Sequence, residues 1–376
     1  MKLGFLLFEY FPFGGLQRDC LKIAELCAVR GHTVTIFTRA WEGERPATVE
    51  VELLGHHGWT NVGRNRAFLK QLARTLPQHS LDGVIGFNKM PGLDVYYGAD
   101  PCYAAKVERL KPFWHRWLPR YRHFRFAEES VFARGQHTQV LVLTEEEIPH
   151  YEKYYGTERE RFHVLPPGIA RRHFSPEEKQ AARQRLRQEH GWAEDRLLLF
   201  VGSGFRVKGL DRAIHSLASL DDLARAHTRL VGIGQNHPGE FARLARQLGV
   251  NDRVHFLGGR HDVFDWMLAS DLLIHPARSE AAGMILLEAL TAGLPVLTTD
   301  ACGYAFHIQR AAAGRVLPSP FSQEQCDAAV REMPASLERP KWSANGVAYA
   351  RREDLYSCHA RAVELIEATM ERKLGQ

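Results

Sequence analysis

The stretch "DLLIHPARSEAAGMILLEALTAGLPVLTT", residues 271–299, decides the fold. "DLLIHPA" is a short apolar run and reads as a buried strand. From Met284 to Leu290 the chain is apolar on nearly every side, which predicts a buried helix. Gly293 stops that helix and "PVLTT" begins a second strand. Strand, helix and strand in so little chain make a parallel unit with a helix laid across it. Two carboxylates interrupt the pattern. Glu280 stands before a small-residue turn and Glu288 inside the apolar helix. A buried carboxylate is costly unless something binds it.

The same alternation runs outward in both directions. "RLLLFVG", "TRLVGIG" and "RVHFLG" are strands before residue 271, each followed by a helical stretch. Towards the N-terminus, residues 2 to 9, "TVTIFT", "DGVIGF" and "TQVLVLT" repeat the rhythm less cleanly. Between the halves lies "RFHVLPPGIARRHFSP", whose prolines and glycine suit a linker. The expected architecture is α/β, with two doubly wound Rossmann-like domains facing each other across a cleft. The N-terminal domain is expected over 1–168 and the C-terminal domain over 169–354. A last helix, 355–376, is expected to pack back on the first domain.

Size and composition agree. The chain has 376 residues, 45% of them hydrophobic, too many for one ordinary core. No run reaches the roughly 18 to 20 apolar residues that span a bilayer. The start "MKLGFLLFEYFPFGG" contains Glu9 and no small-residue cleavage site, so it reads as a first strand rather than a signal peptide, and a cytoplasmic protein is expected. Six cysteines (20, 27, 102, 302, 326 and 358) form no C-x-x-C pair and no zinc spacing, which predicts reduced packing residues.

Three motifs carry chemistry. Gly14-Gly15 lies between the first strand and first helix, where bare backbone N–H groups can approach a phosphate; a plain tight turn explains the pair equally. "GSGFRVKGLD", 202–211, would aim Arg206 and Lys208 at a diphosphate or leave them as a solvated basic turn. The helix that starts near Gly283 offers the N–H groups of Gly283, Met284, Ile285 and Leu286 to an anion. Glu280 and Glu288 beside an anion site make sense if the ligand also offers paired hydroxyls, as a sugar nucleotide does. Their bland alternatives are a helix-capping Glu280 and a snorkelling Glu288. A dehydrogenase is disfavoured, because "GIGQNHPG" carries His237 and Pro238 where a dinucleotide fingerprint needs glycine.

Taken together, Glu280-AAGMILL-Glu288, "LPPGIARRHFSP", the lysine loop and "VHFLGGRHDVFDWMLASDLLIHPARSEAAG" resemble the retaining glycosyltransferases of family four, which have the GT-B fold. "YFPFGGLQRD", "WEG", "GFNKMPGLDVYYGADPCYA" and "FSQEQ" are similar to the branch that adds the first hexose to the inner-core heptose of Gram-negative lipopolysaccharide. The resemblance implies a UDP-sugar donor, that heptose as acceptor and retention of anomeric configuration. It implies that Glu288 binds ribose, Glu280 the donor hexose, and Lys208 the diphosphate, with Gly14, Gly15 and the amides of residues 283–286 around it. Arg260 would lie near uracil, Arg172 near phosphate, and Asp19 and Asp100 at the donor–acceptor junction. Asp19, Asp100 and Glu280 are the candidate catalytic residues. The chain departs from the family at Ser203, where many members carry arginine, so Arg206 is the candidate replacement. Asp100 lies in a region where many members use histidine. No D-x-D occurs, so no metal and no cofactor beyond the UDP-sugar co-substrate is expected. Donors other than UDP-glucose (UDP-galactose or a UDP-N-acetylhexosamine), a UDP-sugar epimerase and a non-enzymatic sugar-nucleotide sensor are the alternatives.

Net charge is only +5 but is unevenly spread. In "KVERLKPFWHRWLPRYRHFRF", 106–126, seven basic residues face one acid, Glu108. Aromatic residues lie between the charges, and Pro112 and Pro119 forbid one continuous helix. Tryptophan beside arginine suits an anionic membrane surface. Lys111, Trp114, Arg116, Trp117, Arg120, Arg122 and Arg125 are the candidate contacts, on the inner face of the inner membrane. A solvated basic face over core aromatics is the bland alternative, and nucleic acid, which also stacks on aromatics beside cations, is the other rival.

Overall fold

Strands that are apolar on both faces need cover on both faces. Leu197, Leu198, Leu199 and Phe200 are consecutive and all fully buried, which only a sheet sandwiched between helices provides. The computed structural model describes residues 1–12, 14–55, 58–110 and 113–375. It divides the chain into two units, Met1–Pro167 with Ser357–Gln376, and Gly168–Tyr356.

Unit 1 contains β1 (Lys2–Leu6), β2 (Glu9–Tyr10), β3 (Thr33–Thr38), β4 (Ala40–Trp41), β5 (Glu50–Leu53), β6 (Gly83–Gly86), β7 (Val95–Gly98), β8 (Gln139–Val142) and β9 (Phe162–Val164). Among the described residues, seven of these form one parallel sheet in the order β5-β3-β1-β6-β7-β8-β9. β2 and β4 pair separately, and Tyr10 stacks on Trp41 at 3.8 Å between ring centres. The first strand ends at Leu6, earlier than expected, because the Phe8 N–H turns away to the Asn88 side chain at 2.8 Å. The expected linker is partly sheet: Phe162–Val164 adds the edge strand β9.

The chain returns to unit 1 at its end. The helix Cys358–Leu374 lies on the helix Gly15–Val29, tied by His359 to Asp19 at 2.8 Å and by Glu367 to Arg30 and His32 at 2.7 and 2.9 Å. Met370 rides directly over Gly83; a Cβ there would lie 2.0 Å from its sulfur.

Unit 2 contains β10 (Arg196–Val201), β11 (Thr228–Ile233), β12 (Val254–Phe256), β13 (Leu272–His275), β14 (Val296–Thr299) and β15 (Gly314–Leu317). They form a parallel sheet in the order β12-β11-β10-β13-β14-β15. Strand order reverses between β10 and β13, and in unit 1 between β1 and β6. Ligands of open parallel sheets bind beyond the carboxyl ends of the strands at such a reversal. The fully packed Asp271 holds the far end of unit 2 together, accepting from Arg183, Arg187 and Arg339 and from the Leu197 N–H.

Candidate functional site

The site is built at the reversal of unit 2. Beyond β10, Gly202 sits at φ +133°, and a Cβ there would meet the Lys208 side chain at 2.8 Å. The absence of a side chain lets Lys208 lie back across the strand end. Gly209, at φ +81°, is seated on the carbonyl of Pro276, which a Cβ would approach to 2.1 Å. Only glycine meets both demands, and this contact brings the loop after β10 onto the chain leaving β13. The Lys208 ammonium then donates to Glu280 Oε2 at 2.5 Å.

Glu280 is fixed by its backbone. Its N–H donates to the Ala301 carbonyl and its own carbonyl accepts from the Gly303 N–H, both at 3.0 Å, a one-residue parallel bridge to Cys302. The Tyr304 N–H donates to Ala282 at 2.7 Å. The carboxyl has a second basic neighbour, His275 Nε2, at 3.6 Å. Burial alone would raise the Glu280 pKa, but His275 and the Lys208 charge outweigh it and hold the carboxyl at about 2. At 3.6 Å the histidine acts through polarity rather than a formed hydrogen bond. Burial keeps His275 itself below its ordinary range and hence neutral.

The helix Met284–Thr291 begins at Gly283, which adopts φ +94°, and no side chain among the described residues caps it. The helices Pro176–Glu189, Asp222–Ala226 and Gln323–Glu332 are capped by Ser175, Asp221 and Ser322. The first N–H groups of Met284–Thr291 therefore have no competing side-chain acceptor, and the helix dipole favours an anion before them. Met284, Ile285 and Glu288 share its less buried face, while Leu286, Leu287, Ala289 and Leu290 face the core. Glu288 thus reaches the surface about 6 Å along the axis from Met284.

Arg206, 66% exposed, turns out to Glu240 at 2.5 Å rather than in beside Lys208. The position is loop backbone instead: Arg278 donates to the Arg206 carbonyl at 2.7 Å and clamps Asp211. Arg260 is held by Asp262 at 2.6 and 2.7 Å, and Arg172 lies over the Phe264 ring at 5.0 Å. In unit 1, Gly14 caps the helix Gly15–Val29 without a side-chain hydrogen bond, and Gly15 faces open space. Asp19 accepts from Tyr97 Oη and His359 Nε2, both at 2.8 Å, so its carboxylate fastens the last helix to the inner strand β7. Asp100 is exposed just past β7, and its carbonyl accepts from Tyr151. His275 and the Ala301–Tyr304 brace had no counterpart in the sequence reading.

The basic segment forms the helix Tyr103–Leu110, a single turn Phe113–Trp117 and the helix Pro119–Phe132. Buried Glu128 anchors it, accepting from Lys89 Nζ (2.6 Å), the Tyr103 and Ala104 N–H groups (2.7 and 3.1 Å) and Tyr155 Oη (2.5 Å). Trp114, Arg116, Trp117, Arg120 and Arg122 are exposed, Trp117 by 74%. Arg116 also touches Glu108 at 3.1 Å. Arg125 does not stand with them: it is drawn to Glu129 and the Tyr155 ring. Lys111 lies outside the described residues. Among those described, no helix is long and apolar enough to cross a membrane, and no group of three or more His, Cys, Asp or Glu could hold a metal.

Residues 13–172 match the sequence family "Glycosyltransferase Family 4" and residues 182–346 match "Glycosyl transferases group 1". The lipopolysaccharide glucosyltransferase WaaG of Escherichia coli (strain K12) is 47% identical over 368 residues, 97% of this chain and 98% of that protein. A crystal structure of WaaG, a glycosyltransferase involved in lipopolysaccharide biosynthesis, superposes with a TM-score of 0.91 at 46% identity, covering 97% of this chain and 99% of that one. Anabaena Alr3699/HepE in complex with UDP-glucose shares the fold, with a TM-score of 0.75 at 19% identity over 98% and 100% of the two chains. The chain belongs to glycosyltransferase family 4, in the company of WaaG, and its two parallel α/β units are the GT-B fold of that family.

Proposed function

We propose that this protein transfers glucose from UDP-glucose, with retention of configuration, to the inner-core heptose of lipopolysaccharide. One observation carries the reading: at the strand reversal of unit 2, Lys208 and Glu280 meet beside the uncapped start of the helix that bears Glu288. A cation and free N–H groups suit a diphosphate; two carboxylates suit the hydroxyl pairs of ribose and hexose. Similarity to WaaG, named for lipopolysaccharide and glucose, supports the acceptor and donor.

Lys208 and the helix N–H groups would neutralise charge that gathers on the departing UDP, and a preorganised site does so without reorientation at the moment of reaction. Glu280 would orient the hexose through its hydroxyls. Gly14 and Gly15 of unit 1 would bring backbone to the diphosphate, and Asp100 would serve the acceptor side. The positive charge comes from the chain, so no metal is required; transfer that collapses with chelator and returns with magnesium or manganese contradicts this.

A panel of UDP-sugars incubated with core-truncated lipopolysaccharide and read by mass spectrometry tests the assignment. A hexose added from UDP-glucose is expected. Transfer only from UDP-galactose or a UDP-N-acetylhexosamine, or UDP release without an acceptor, overturns it.

We also propose that the exposed Trp114, Trp117, Arg116, Arg120 and Arg122 rest on the anionic inner face of the inner membrane, where the lipid acceptor lies. Each arginine near such a surface gains about 1 kcal/mol. Vesicle binding should rise with anionic lipid and fall with salt. A protein that ignores vesicles yet binds RNA refutes this.

A further inference from the structure

His275 is the last residue of β13, fully buried beneath Glu280. Its ring lies nearly parallel to that of Phe200, 6.1 Å between centres and 22° between planes. Its backbone carbonyl is held twice, accepting from Thr298 Oγ1 at 3.0 Å and from the Ala277 N–H at 2.8 Å. The ring therefore cannot leave. Yet neither ring nitrogen has a hydrogen-bond partner among the described residues. Buried polar groups are nearly always paired, and one left unpaired costs stability. The group nearest to satisfying it is Glu280 Oε2, 3.6 Å from Nε2. That same oxygen already accepts from Lys208 at 2.5 Å. Glu280 thus has one basic neighbour on its outer side, 20% exposed, and one on its inner side that is fully enclosed.

We infer that His275 is a positioning residue that takes over the Glu280 carboxylate when donor phosphate engages Lys208. The inference rests on the reading of this corner as the donor site. A diphosphate draws the Lys208 ammonium away from Glu280. Left alone in a mostly enclosed place, the carboxylate would favour its protonated form and turn less readily to accept from sugar hydroxyls. The neutral His275 tautomer with its proton on Nε2 prevents this. A shift of about 0.7 Å brings Nε2 to hydrogen-bond distance. Because the Glu280 backbone is bridged to Cys302, the carboxylate can change partner without the loop moving. Glu280 remains ionised and aimed throughout, held from the side that the ligand does not occupy.

The test uses the full chain and three substitutions. His275→Phe keeps the ring and removes the N–H; His275→Gln restores a donor near the Nε2 position. For His275→Phe, kcat with UDP-glucose should fall about 10- to 100-fold, the worth of a hydrogen bond to a charged group. UDP should also bind more weakly, by up to about the same factor, because the lost bond forms only when phosphate engages Lys208. His275→Gln should recover most of the lost rate. In histidine-labelled protein, the His275 Nε2 proton should move downfield on adding UDP. It should already be downfield in Lys208→Met with no ligand present. A His275→Phe enzyme with wild-type kcat, a His275→Gln enzyme as slow as His275→Phe, or an unmoved resonance in Lys208→Met overturns the inference. Wild-type protein that fails to turn over UDP-glucose overturns the proposed function instead, and the Lys208→Met spectrum still decides whether His275 takes Glu280.

Discussion

Replacing Glu280 by glutamine should tighten UDP binding while slowing transfer. Lys208 and Glu280 meet at 2.5 Å with only 20% and 21% of their side chains exposed, so solvent screens the pair weakly. The carboxyl sits at about 2 against an ordinary 4.5, a difference of roughly 3 kcal/mol in favour of the ionised form. That figure is net of burial and is shared between His275 and Lys208. If the Lys208 share is about half, a phosphate that claims the ammonium forgoes about 1 to 2 kcal/mol, or about 5- to 30-fold in affinity. Glu280→Gln removes that competition, and UDP should bind tighter by about that factor. Glucosyl transfer should fall sharply, because the amide replaces one acceptor oxygen by a donor NH2 and carries no charge to strengthen the bonds that remain. Calorimetric titration with UDP and a turnover assay on one preparation measure both. Unchanged or weakened UDP affinity would refute the view that Glu280 and phosphate compete for Lys208.

Glu288→Ala should act oppositely and weaken UDP at least about tenfold, since each charge-assisted bond to ribose is worth about 1.5 to 3 kcal/mol; equal UDP affinities for the two glutamate variants would count against this division. Gly209→Ala forces a side chain into a left-handed position 2.1 Å from the Pro276 carbonyl and should cost about 1 to 3 kcal/mol in urea unfolding. A wild-type midpoint for that variant would mean the loop is not seated as described. The Glu280 carboxyl is depressed in the fold, so its contribution to stability is complete above about pH 4.5 and is lost as pH falls towards 2. The stability difference between wild type and Glu280→Gln should therefore be flat from pH 6 to 8 and narrow below 4.5; a slope near neutrality would implicate another group.

The elements that were legible in the sequence are those whose pattern is local. The run from Leu197 to Val201 could only be an enclosed strand, and the small-residue turn before Met284 marked where the buried helix begins. Lys208, Glu280 and Glu288 stood out because each is charged where the surrounding pattern is apolar or turn-like. Besides the two-residue Ala40–Trp41, four short strands were not read. Glu50–Leu53, Phe162–Val164 and Gly314–Leu317 lie at sheet edges, where one side needs no apolar face, and Val95–Gly98 has only four residues. The exposed Arg206 pairs with Glu240, distant in sequence on the helix Gly239–Gln247, a partner that no local pattern indicates. The structure gives Asp19 two structural partners that no local pattern could have indicated. His275 was silent for a different reason. A histidine ending the strand Leu-Leu-Ile-His looks like a packing residue until the chain five residues later folds back over it.

The return of the last helix to the first unit has a consequence for how the protein is made. Gly168–Tyr356 is inserted within unit 1, so unit 1 is the first begun on the ribosome and the last finished. Synthesis is vectorial and domains tend to fold as they emerge, yet the patch around Gly83 stays uncovered until Met370 has been delivered. The inserted unit can close on its own core while its host is still waiting. A chain cut short between Tyr356 and Met370 would leave a complete second unit attached to an exposed sheet face, a species recognisable to proteases.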